Sequence, residues 1–435
     1  LAGTEGAWCN ACGALACDER AELACSDAAR ADAIWVDTVQ DTLDAGVGCS
    51  LRAALLAAES NQPVGGCPAG RAQPRDVIAL RADGVYALTL GGAEEDQGRT
   101  GDLDVHSAVL VRSCVPGAVI DGGGGDRLFD VHVGGALELQ GVVLRNGQVT
   151  GAAGAVPIGG TYLAGGGALR ISGSATLEGV RVESSAAFGG AGADASPEGG
   201  GGGGGGGVGL GGAVFIDGGW LSMVDVVLEN NRVVGGEGGS GQANGGELRG
   251  AGAGGGGRGG EGGVARSRLN EVDFPAGQAG RFGGGGGGGA GMPGGGGGGG
   301  LGGLGGFGGG GGGAGATTTG GCGPLPVAPP GYGAGAGGQG CASASAGGGG
   351  GAGLGGAVFN LAGRLTMVDV VFSGNSAIGG DAGANGFGAG TLAGSGTGRG
   401  GALFEVDVAT ALDGAEFEDN VADGGRDDVE TARSP

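Results

Sequence analysis

Two aspartates, Asp225 and Asp369, fall at the same place in two alike blocks of sequence, each flanked by valines. Period-two alternation puts such residues on the outside of a strand. Carboxylates stacked on neighbouring strands could hold Ca2+, which takes oxygen ligands; the other reading is a solvated acidic face. A polysaccharide lyase would set a basic residue beside such a site to remove a proton next to a uronate. All 22 basic residues are Arg, with no Lys, and no Arg recurs at a fitting place in these blocks. A hydrolase would need a paired acid and base, and the acidic residues form no recognisable pair.

The two histidines, His106 and His132, are 26 residues apart, about the length of one block. They could stack and bind metal, or each could be a surface strand residue; the sequence presents no third ligand. Cys9, Cys12, Cys17 and Cys25 read C-x2-C-x4-C-x7-C. That differs from the paired C-x2-C spacing of zinc sites, and a small disulfide knot is expected instead. Cys322 and Cys341 stand alone in a glycine-rich region and are expected to pair. Of Cys49, Cys67 and Cys114, two are expected to pair and the third to stay free or bond outside the chain. Nine cysteines in all suggest an oxidising compartment. Without Lys there is no phosphate-binding P-loop. No cofactor is expected beyond Ca2+ at the two aspartates.

The blocks that carry these residues are repeats. Residues 166–190 read GGALRISGSATLEGVRVESSAAFGG, and 211–236, 355–380 and 400–425 follow the same pattern, each unit being 25 or 26 residues long. A more divergent unit at 127–151 precedes them. Each holds short alternating stretches, such as 357–360 and 365–372, that read as strands. Tandem units of this length bury their apolar faces only by stacking, so an all-β solenoid is expected. Asn231, Asn375 and Asn420 share offset 20 from the first Gly of their units, and Ser185 takes the place in the shorter one. Asn tolerates the left-handed backbone region and can bond to the layer above. A structural Asn ladder is expected, with a row of sugar-binding amides as the alternative.

Glycine is 126 of 435 residues, 126/435 or 29%, against about 7% in ordinary proteins. Most of it lies in runs near 189–210, 235–354 and 379–399. Collagen would need Gly at every third position with abundant Pro, and only 13 Pro are present. A membrane helix would need about 20 consecutive apolar residues, and none are found. Hydrophobic content of 40% argues against disorder throughout. The runs read as lateral insertions, because loop closure cost grows slowly with length. They are expected to leave each unit after its second strand. Leu301, Leu304 and Phe307 recur at period 3, the period of a polyproline-II helix, and would form one apolar stripe. A bundle of glycine helices or a flexible coil would both fit. Net charge of −23 disfavours nucleic acid and anionic lipid as partners. The start at Leu1 reads as a mature or trimmed chain, or as a piece of something larger.

Near the amino-terminal end, Cys49–Asn61 reads as a helix. Ser50 is a good N-cap, Leu51, Ala54, Leu55 and Ala58 share a face, and Asn61 can end it. Strands are expected at 33–39, 77–80 and 85–90. Cys49-Ser50-Leu51-Arg52 before an Ala-rich helix resembles the CSLREA domain. The lead-in Val36-Asp37-Thr38 with Asp41-Thr42 matches it, as does the downstream order DVIAL (76–80), GVYALTL (84–90), GDLDV (101–105) and VIDGGGGDRLFDV (119–131). Ala53 departs from the family's usual Glu. The resemblance covers about 33–150 and implies a right-handed parallel β-helix in a bacterial secreted or outer-surface protein, with no assigned activity. The later units resemble repeats of the pectin-lyase-like superfamily, which carry only shape. The glycine-rich composition also resembles the receptor-binding tips of some phage adhesins. The expected organisation is a Cys-rich segment at 1–32, a cap with the first coils at 33–150, and coils with insertions at 151–435. The expected function is a structural or adhesive surface protein that meets a surface glycan or cell-envelope component without inserting in a membrane. A polysaccharide lyase or hydrolase is the rival class.

Overall fold

A computed structural model describes residues 33–71, 75–81, 84–92, 95–113, 117–153, 164–195, 201–241, 277, 279–280, 282, 284–288, 301–315, 327–341, 344–386, 391–408, 410–412 and 414–433. Cys9, Cys12, Cys17, Cys25, Cys114 and Cys322 lie outside them. Among the described residues the fold is all-β apart from one helix. The strands form four parallel sheets of 12, 7, 5 and 3 members, none closed on itself.

Sheet neighbours come from successive repeat units. Leu169–Ile171 lies beside Val214–Asp217, then Val358–Leu361, then Leu403–Val406. Gly211 and Gly355 are 144 residues apart, whereas Gly355 and Gly400 are 45 apart. Both intervals advance the sheet by one strand, so the long insertion does not disturb pairing. Alternation points one set of side chains inward, where like stacks on like. Leu137 and Leu139 lie over Ala175 and Leu177, then Leu221 and Met223, then Leu365 and Met367, all buried.

Each unit differs from expectation in one respect. Three strands precede the insertion in the unit of Val214–Asp217, Trp220–Glu229 and Arg232–Val234, and four in the unit at 166–190, where Ser174–Glu178 and Arg181–Glu183 are separate. The insertions therefore leave one strand later than expected, after Arg232–Val234 and its counterparts Ala186–Phe188 and Ser376–Ile378. They return through the short strands Gly209–Leu210, Gly353–Leu354 and Gly398–Arg399, which pair with one another.

The bends within the units recur in register. Gly141, Gly179, Asp225 and Asp369 align and have φ of 63°, 59°, 56° and 53°. A second column, Asn146, Ser184, Asn230, Gly374 and Asp419, has φ of 54°, 53°, 54°, 63° and 51°. Left-handed backbone favours Gly, Asn and Asp, which fill all but one of these places.

The helix α1, Leu51–Ser60, is capped by Ser50, whose side chain accepts from the Ala53 N–H, and ends at Asn61 with φ 53°. It is buried on more than the expected face, since Arg52, Ala53 and Ala57 are also buried. Cys49 and Cys67 form a disulfide across the helix start, and Cys341 is also disulfide-bonded. Arg52 has five N–H donors, and all are used. Nε and Nη2 clasp the two oxygens of Asp41 at 2.7 and 3.1 Å. Nη2 also donates to the Gly101 carbonyl at 2.7 Å, and Nη1 donates to those of Gly98 and Asp102, both at 3.0 Å. Asp41 in turn accepts from the N–H groups of Thr89 and Leu90. One guanidinium thus joins the lead-in, the helix and the 98–102 turn.

Burial alone would raise the Asp41 pKa, but Arg52 and the Leu90 and Thr89 amides hold it below the usual carboxylate value. Arg52→Ala leaves Asp41 buried and unpaired, and chemical denaturation should show a loss of about 3–5 kcal/mol. The pH dependence has a definite sign. Asp41's contribution is complete above its unfolded value of about 3.9 and is lost as pH falls through the lowered folded value. Asp41→Asn should therefore show a shallower loss of stability in acid than the wild type.

Candidate functional site

The described parts of the glycine segments are arrays joined sideways by backbone hydrogen bonds. Along 201–210, Gly203, Gly206 and Gly209 donate to the carbonyls of Ala346, Gly349 and Ala352. Gly204 and Gly207 donate to Ala193 and Gly190, and Gly205 donates to Gly286. Two of these rows recur every third residue and Gly205 adds a third side, as three residues per turn would arrange. In return, Gly310 and Gly313 donate to the carbonyls of Gly206 and Gly203. The backbones nearly touch. A Cβ at Gly206 would meet the Gly236 oxygen, and one at Gly205 the Gly310 oxygen, both closer than the 3.0 Å that real Cβ atoms keep.

An aromatic column anchors this array to the sheets. Phe215, Phe359 and Phe404 stack on successive strands with centroids 5.6 and 5.7 Å apart. Tyr332 then meets Phe404 at 5.7 Å, Phe307 meets Tyr332 at 5.6 Å, and Phe282 meets Phe307 at 5.0 Å. Tyr332 also donates its hydroxyl to Glu430 at 2.6 Å, and Arg399 binds the same carboxylate oxygen at 2.8 Å. The apolar stripe divides accordingly. Phe307 is 6% exposed and belongs to the core, while Leu301 and Leu304 are 37% and 51% exposed. These two leucines sit on a segment whose carbonyls accept from Gly277 and Gly280, so apolar side chains stand out from a braced backbone.

Asp225 and Asp369 are adjacent across two units, and Asp225 is raised by burial and then by the charges of Asp369 and Glu178. Their recurrence has a backbone cause in the left-handed bend, where Gly179 and Gly141 stand one and two units before Asp225. Among the described residues they belong to no cluster of three metal-ligating groups.

The histidines do belong to one. His106 and His132 each follow a strand, Leu103–Val105 and Phe129–Val131, and lie outside it. Their rings stack with centroids 4.1 Å apart and planes 15° from parallel. Contrary to the sequence expectation, a third ligand is present: Asp104 Oδ1 lies 2.6 Å from His132 Nε2. Ligand atoms of Asp104, His106 and His132 all fall within 4.8 Å of one another. The His132 pKa is raised, first by its hydrogen bond to Asp104. A sequence signal was available, because the tripeptide Asp-Val-His occurs at 104–106 and again at 130–132.

Asn231, Asn375 and Asn420 are buried and bonded in a chain. Asn231 donates its backbone and side-chain N–H groups to Asn375 Oδ1, both at 3.0 Å. Asn375 does the same to Asn420 Oδ1 at 3.1 and 2.9 Å, and Ser185 N–H donates to Asn231 Oδ1 at 3.0 Å. Each amide also reaches a backbone carbonyl of the preceding unit, Val182, Leu228 and Phe372 in turn. Such amides have no face left for a sugar.

No family model matches the chain, and no curated protein or solved structure matches it. No helix among the described residues is long and apolar enough to cross a membrane.

Three substitutions measure these packings. Gly206→Ala should cost about 1–3 kcal/mol or more in thermal unfolding. Gly91→Ala, with nothing within 4 Å of the added carbon, should change stability by less than about 0.5 kcal/mol. Asn375→Ala should cost about 1–3 kcal/mol for each buried group left without a partner, read by urea unfolding.

Proposed function

We propose that this chain is a secreted or bacterial cell-surface protein with a structural and adhesive role. In this reading a right-handed parallel β-helix carries a lateral platform of polyproline-II-type glycine helices. Pairing that advances by one repeat unit in every sheet supports the β-helix. The Cys49-Ser50-Leu51-Arg52 helix, bound to the lead-in and to the 98–102 turn, supports a CSLREA-like cap over an otherwise open sheet edge. The Cys49–Cys67 disulfide suits an extracellular, oxidising compartment.

The adhesive role rests on one observation: apolar Leu301 and Leu304 project from glycine segments that are hydrogen-bonded sideways and anchored by an aromatic column. A flexible coil would lose conformational freedom on binding, whereas a platform ordered beforehand avoids that cost. The partner is a surface glycan or another cell-envelope component. Net charge of −23 turns the surface away from nucleic acid and anionic lipid.

Binding of the full chain to glycan arrays and whole cells tests the role against a Leu301→Asp, Leu304→Asp double variant. Both sites are exposed, so unfolding should change little, while binding should fall at least about tenfold. Equal binding by the two proteins would remove the platform from the contact.

A further inference from the structure

We propose that Asp104, His106 and His132 form a binding site for a divalent transition-metal ion of the Zn2+ class, bridging two successive repeat turns beside α1. Two imidazole nitrogens and one carboxylate oxygen suit Zn2+, Co2+, Ni2+ or Cu2+, whereas Ca2+ and Mg2+ select oxygen ligands. Three protein ligands leave a position for water.

The surroundings are arranged for it. His106 Nε2 lies 3.1 Å from the Asp96 carbonyl oxygen. A carbonyl only accepts, so Nε2 carries the hydrogen and Nδ1 is left to ligate. An outer hydrogen bond of this kind fixes the tautomer in known metal sites. The other oxygen of Asp104 is held by the Gly98 N–H at 2.7 Å, which orients the carboxylate. Asp130 offers an instructive contrast, because it pairs with Asp104 across the sheet. Arg127 and Arg170 bind Asp130 at 3.1 and 3.2 Å. Among the described residues no arginine binds Asp104, so its charge stays available to a cation. Glu59, on α1, lies within electrostatic reach of all three groups and adds negative charge. Binding displaces the proton between Asp104 Oδ1 and His132 Nε2, parts these two atoms from 2.6 Å and sets the His106 nitrogen at the spacing that bonds of about 2.0–2.2 Å impose. His106, at an exposed turn, can make that movement.

The test is calorimetric titration of the oxidised, EDTA-treated full chain with Zn2+, beside His106→Ala and His132→Ala. Cysteines elsewhere could also take Zn2+, so the readout is the difference between proteins. The wild type should bind one more equivalent than either variant, or bind that equivalent at least about tenfold more tightly. Zn2+ should raise the wild-type Tm above the rise seen in His106→Ala, whose metal-free Tm is unchanged. The Co2+ difference spectrum should lack thiolate charge-transfer absorption. Wild-type stoichiometry and affinity in both variants, or absence of Zn2+ binding in the wild type, would overturn the proposal.

Discussion

The fold rests on backbone hydrogen bonds made sideways between segments far apart in sequence. In the sheets these bonds form parallel ladders, and side chains alternate between core and solvent. In the glycine segments the bonds run outward every third residue, and there are no side chains between the backbones. A buried peptide group must find a partner in either case. The difference lies in what fills the remaining space. Leu, Val and Met fill it between the sheets, whereas in the glycine array another backbone does so directly.

Sideways pairing imposes a constraint on every turn of the chain. Each unit must bend at the same places, or the ladder above it loses register. The stacked left-handed residues meet that demand, and the Asn231–Asn375–Asn420 chain ties the adjoining turn to the unit before and the unit after. This explains why Asp225 and Asp369 recur without any need for a ligand. It also separates them from Asp104. Asp104 lies within a strand with its carboxylate buried, so backbone conformation does not account for it.

Much of this was legible in the sequence because period-two patterns and fixed offsets are local. The repeat boundaries, the strands, α1 and the turn asparagines all follow from residue types that the local backbone selects. The strand that follows the turn asparagine, such as Ser376–Ile378, is only three residues long, too short to show a two-residue period. Asp104 was missed although Asp-Val-His occurs at 104–106 and again at 130–132, because the repeat does not tell which of the two aspartates meets the histidines and which meets Arg127 and Arg170. Arg52 was visible as part of a motif, but its five-fold bonding to Asp41, Gly98, Gly101 and Asp102 depends on turns that carry no pattern of their own. The stripe of Leu301, Leu304 and Phe307 was visible as a period, yet its division into outward and inward members depends on Tyr332 and Phe404, which are remote in sequence.

Ordering a glycine segment is expensive, since each residue loses more freedom than any other type and backbone fixation costs about 1–2 kcal/mol per residue. Hydrogen bonds that net only about 0.5–1.5 kcal/mol each offset this when most peptide groups in the segment make them. A single isolated glycine helix would therefore not persist. The array needs lateral neighbours on several sides and an apolar anchor, and the run from Phe215 through Phe404 to Phe282 supplies the anchor. That requirement shapes what the surface can do. The interior of the array presents mainly backbone, so side chains stand mostly at its edge. Leu301 and Leu304 stand there on a backbone that cannot yield without breaking several rows of bonds.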